Sequence, residues 1–95
     1  MPDAIAGQKT VTTAGTAVIL GASQLINGPL MVKALDTNTG VVAIGNDGAN
    51  DITVSNAMRL KAGDSIVYSF VGNLTTLWID SAVNGEGVCW AILSV

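Results

Sequence analysis

The hydrophobic positions fall into short runs that alternate with polar and glycine-rich corners, and this spacing predicts strands rather than helices. Gln8 to Thr13 alternates β-branched and polar residues, Gly15 interrupts it, and Thr16 to Leu20 resumes it. Asn27-Gly28-Pro29 is a strong turn signal and leads into Leu30 to Leu35. The polar turn Asp36 to Gly40 separates that run from Val41 to Gly45, and the two are expected to form a hairpin. Ile52-Thr53-Val54 reads as a brief strand. From Asn56 to Ala82, the corners Lys61-Ala62-Gly63-Asp64 and Gly72-Asn73 divide three apolar runs, which reads as a meander. Asn84-Gly85-Glu86-Gly87 then turns the chain into a last strand, Val88 to Val95. About eight β segments recur at roughly ten-residue spacing, the pattern of a sandwich or barrel. No long segment carries a helical apolar stripe, and eleven glycines weigh against helix.

Several of these strands are apolar on both faces. Ile66, Tyr68 and Phe70 alternate with Val67 and Val71, and Val88, Trp90 and Ile92 alternate with Cys89, Ala91 and Leu93. A two-layer fold needs only one apolar face per sheet, so a second one predicts burial against another chain. Composition points the same way: 49% of residues are apolar and 12% charged, with a mean hydropathy of +0.54. No run approaches the roughly 18 apolar residues of a membrane-spanning helix, and Met1-Pro2-Asp3 lacks the basic start of a signal peptide. A homo-oligomer is therefore expected, and no membrane partner. Trp78 and Trp90 read either as core or as interface anchors, and the candidate interface comprises Trp78, Trp90, Val67, Val71 and Ile92. The expected organisation is an N-terminal arm over residues 1–7 and one β domain over residues 8–95.

Candidate chemistry is sparse. There is no histidine, so histidine bases and most zinc sites are excluded. Cys89, the single cysteine, has no histidine to activate it and reads as a small packed side chain. The seven carboxylates fall mostly at turns, where Asp bonds to its own backbone, and no spacing selects a catalytic pair. Asp47 to Asp51 gathers oxygen ligands in one loop but lacks the distal bidentate Glu of a calcium loop. No enzyme, cofactor or metal is expected. Lys9, Lys33, Arg59 and Lys61 are scattered in a chain of net charge −3, which argues against nucleic acid.

Four motifs in order carry a resemblance. They are Thr10 to Val18 (TVTTAGTAV), the stretch Lys33 to Gly45 (KALDTNTGVVAIG), Ile52 to Ile66 (ITVSNAMRLKAGDSI), and Asn73 to Trp90 (NLTTLWIDSAVNGEGVCW). Together they span most of the chain and resemble the small decoration, or cement, proteins of tailed-bacteriophage capsids. Ala57 stands where that pattern has Gly. The resemblance implies a jelly-roll-like β-sandwich, a trimer, and a place on the outer surface of the virion, bridging major capsid protein subunits. Related small β proteins occur in tails and fibres, which gives the alternative of a module recognising host glycans through the Trp pair and the turn carboxylates.

Overall fold

The computed structural model describes residues 6–26, 28–46, 52–54 and 57–93. The ten strands are β1 (Ala6–Thr10), β2 (Val18–Ile19), β3 (Leu25–Ile26), β4 (Leu30–Ala34), β5 (Val42–Gly45), β6 (Met58–Leu60), β7 (Ser65–Tyr68), β8 (Gly72–Asn73), β9 (Trp78–Ser81) and β10 (Gly87–Ile92). One 3-10 turn, Leu74–Thr76, stands before β9; Asn73 caps it, its Oδ1 accepting from the Thr75 amide at 3.0 Å.

All pairings are antiparallel and follow one rule. β1 pairs with β10, β2 with β9, β3 with β8, β4 with β7, and β5 with β6. The chain is thus one long hairpin, folded back on itself at the β5–β6 connection. Two further pairings, β4 with β10 and β5 with β9, roll that hairpin into two sheets. The sheet orders are β1-β10-β4-β7 and β2-β9-β5-β6, with β3-β8 as a short third ribbon. This is an all-β sandwich of jelly-roll connectivity, in which almost every link crosses between layers.

The expected hairpin of Leu30–Leu35 with Val41–Gly45 does not form. β4 and β5 lie in different sheets, and the Asp36–Gly40 turn carries the chain across the sandwich. The expected meander is overturned for the same reason: β6, β7 and β9 are not sequential neighbours in any sheet. Gly63 shows how a turn signal misleads. It adopts φ +83 and its amide donates to the Ala34 carbonyl at 3.1 Å, so the corner after β6 is pinned to the last residue of β4 in the other sheet. Ile52 to Val54 forms no strand among the described residues. Ala6 and Gly7, at the end of the expected arm, belong to β1, and the rest of that arm lies outside the described residues.

The core lies between the sheets. Leu30 and Val32 from β4, Val42 and Ile44 from β5, Ile79 from β9, and Val88 and Trp90 from β10 all point into it. A second, smaller core lies on the outside of the β2-β9-β5-β6 sheet. There Ala17, Ala43 and Ile52 are buried, with Val54, Ala57 and Trp78 packed against them. Gly45 makes room for it, since a Cβ there would sit 2.7 Å from Ile52 Cδ1. The chain's own β5–β6 connection thus covers one of the two surplus apolar faces.

Candidate interaction surface

The two ends of the sandwich are built differently. One end is sewn together by polar contacts among three segments. The Glu86 carboxylate accepts from the Thr39 amide (2.7 Å), the Thr39 hydroxyl (2.9 Å) and the Gly40 amide (2.9 Å). These bonds, Gly40 and Thr39 backbone first, hold its pKa below the ordinary glutamate value. The Ala14 amide donates to Asn84 Oδ1 at 2.7 Å, and the Val11 amide to the Glu86 carbonyl at 2.8 Å. Residues of the TTAGT, NTG and NGEG motifs therefore act here as structural joints.

The described carboxylates are committed in the same way. Asp36 pairs with Lys33 at 3.3 Å, Asp64 accepts from the Lys61 amide, and buried Asp80 accepts from the Gly15 and Ser81 amides. No group of three metal-ligating side chains forms among the described residues. Cys89 is half-buried, its Sγ 3.7 Å from the Lys33 carbonyl oxygen. The Asp47–Asp51 loop lies outside the described residues.

The opposite end is apolar. The β3-β8 ribbon, Gly28-Pro29, Ser69 to Val71 and Leu93 gather there, the Leu93 amide donating to the Pro29 carbonyl at 2.9 Å. Leu25 and Phe70 are 73% and 72% exposed, and Met58 and Leu93 are also open to solvent. A cleft of about 330 Å³ joins the two sheets at this end, lined by Ile44, Met58, Tyr68, Val71 and Leu77, with Phe70 at its lip. Burial there raises the Tyr68 hydroxyl pKa above its ordinary value.

A second open surface is the outer face of the β1-β10-β4-β7 sheet. Strand register sets Ala6, Ala91, Met31 and Val67 in one row across all four strands. A shallow groove of about 340 Å³ runs along it beside Cys89. Val67 is 54% exposed.

Of the five residues expected at an interface, Val67 alone is exposed. Val71 and Ile92 are half-buried against the main core, and Trp78 is half-buried in the smaller one. Trp90 is a core side chain, 7% exposed, with its ring over Gly7. The two indoles lie on different sheets, so they form no common stacking platform. Sequence reasoning passed over Leu25, Met58, Phe70 and Leu93. A signal for them existed: residues 10–32, 65–79 and 87–95 contain no Asp, Glu, Lys or Arg, and these stretches build most of the apolar end. Compared with known proteins, the chain matches no family model, no curated protein and no solved structure at a significant level.

Proposed function

We propose that this chain is a structural virion protein, a decoration or cement protein of a tailed-bacteriophage capsid. It self-associates, as a trimer on the strength of the family resemblance, and binds the outer surface of the shell, bridging major capsid protein subunits. The observation that carries this reading is the uncovered apolar row Ala6–Ala91–Met31–Val67 on a jelly-roll sheet. An exposed apolar row of that kind marks an interaction site. The joints at the sewn end, and the backbone amides that occupy the Asp64, Asp80 and Glu86 carboxylates, support a scaffold rather than a reaction.

The mechanism is mass action. A protein that binds the assembled lattice and not its free subunits shifts the equilibrium toward the lattice. The test is thermal release of the genome from particles with and without this protein. Complete particles are expected to hold their DNA to a higher temperature. Equal release temperatures would remove the cementing role.

A further inference from the structure

The apolar end has an unusual electrostatic property. The described charged residues are Lys9, Lys33, Asp36, Arg59, Lys61, Asp64, Asp80 and Glu86; none lies in the β3-β8 ribbon, residues 28–32, residues 65–77 or Leu93, and Arg59, next to Met58 on β6, pairs with Ala43 on the strand face away from the cleft. The other carboxylates, Asp3, Asp47 and Asp51, are outside the described residues. Interface cores are depleted of charge in this way, because each buried charge would have to be desolvated.

The end also carries a knob beside a hole. Phe70 projects its ring into solvent, and the cleft next to it is walled by Met58, Tyr68, Val71 and Leu77. An apolar cavity of about 150 Å³ already accommodates benzene. At about 330 Å³ the cleft has room for a phenyl ring. An occupant must bring an uncharged surface and a projecting aromatic group, and the same end of another copy brings both.

We propose that copies of this chain associate through the apolar end, with Phe70 of one copy seated in the Met58–Tyr68–Val71–Leu77 cleft of the next. The inference deepens the decoration reading and rests on it for its biological use, since it assigns self-association to the end and leaves the sheet row for the shell. The molecule measures 33 × 26 × 23 Å, so one end projects roughly 500–700 Å² against about 800 Å² per partner in a standard interface. The contact is therefore a reversible one, and it weakens on dilution.

Sedimentation of the purified full-length chain over a dilution series tests it, without virions. The wild type is expected to sediment well above the 9.6 kDa of one chain and to dissociate on dilution. Phe70→Asp puts a charge on the knob, and Met58→Glu puts one in the hole. Each is expected to reduce association by about a hundredfold or more, as loss of a central anchor does. Both positions are exposed, so native circular dichroism and an unchanged monomer melting curve are expected. Val83→Asp, at the sewn end, should leave the mass unchanged. A monomeric wild type would overturn the proposal, as would an intact oligomer in both variants or equal disruption by Val83→Asp. A dimer in place of a trimer would support the contact and correct the trimer. Failure of the heat-release experiment with an intact Phe70 contact would remove the capsid role alone.

Discussion

The Asn38 side chain pairs with the Gly87 backbone as a strand would: Nδ2 donates to the Gly87 carbonyl at 2.8 Å and Oδ1 accepts from its amide at 3.4 Å. Both residues are buried. The pair ties the β4–β5 crossover to the first residue of β10, two places 49 positions apart in sequence. Asn38→Ala removes both partners and leaves the Gly87 amide buried without its acceptor. The expected cost is about 2 kcal/mol. Urea unfolding measures it, and a loss below about 0.5 kcal/mol, within the range of an ordinary surface change, would mean that the pair is dispensable.

Glu86 makes stability depend on pH in a direction its bonds dictate. Its folded pKa is lowered by the Gly40 and Thr39 donors, so the folded state binds the proton less well than the unfolded chain. The contribution is complete above the unfolded glutamate value and is lost as pH falls through the lower, folded one. Glu86→Gln should melt earlier than the wild type at neutral pH, and the gap should close in acid. A gap of constant size across the acid range would show that charge on this carboxylate plays no part.

Most of the longer strands were legible in the sequence because their signals are local, whereas Gly72-Asn73, which reads as a corner, is β8, and Ile52 to Val54 is no strand. Gly15, Gly63, Gly72 and Gly85, all at positive φ, sit at corners that the residue pattern marks. Pairing was not legible, because it depends on contacts between distant residues. Leu30 meets Tyr68 and Ile92, and nothing in the run Leu30 to Gly45 distinguishes a crossover from a hairpin. The surplus of apolar residues was also read only in part. It divides between the smaller core under the β5–β6 connection, the open sheet row and the apolar end. Composition sums all three, and only the rolled topology separates them.

Gly87 and Gly85 stand two residues apart and are expected to fail by different means. A Cβ on Gly87 would collide with the backbone of Lys9 and Thr10 on β1, which cannot move without breaking the β1–β10 ladder. Gly87→Ala should cost about 3 kcal/mol or more. Gly85 meets nothing within 4 Å and carries only the penalty of φ +81, so Gly85→Ala should cost about 1–2 kcal/mol. Thermal melts of the two variants side by side check this. Equal losses would place the constraint at Gly87 in its turn and not in the close approach of β1.

The two tryptophans offer the most direct view of the layers. Trp90 fills the space between the sheets and lies so close to β1 that only a glycine fits at position 7. Trp78 faces outward and packs on the smaller core of Ala17, Ala43 and Ile52. Trp90→Ala should therefore cost about 3–5 kcal/mol, the range for emptying a core aromatic site. Trp78→Ala should cost less, about 1–2 kcal/mol, because part of the ring already meets water. Fluorescence separates the same two sites with a milder, aromatic-for-aromatic change. In Trp78→Phe the remaining indole, Trp90, should emit to the blue and resist acrylamide. In Trp90→Phe the remaining indole, Trp78, should emit further to the red and be quenched more strongly. Reversal of that order would exchange the inner and outer faces of β9 and β10 and undo the assignment of the open sheet row, since Ala91 and Val67 face outward only if Trp90 and Ile66 face inward.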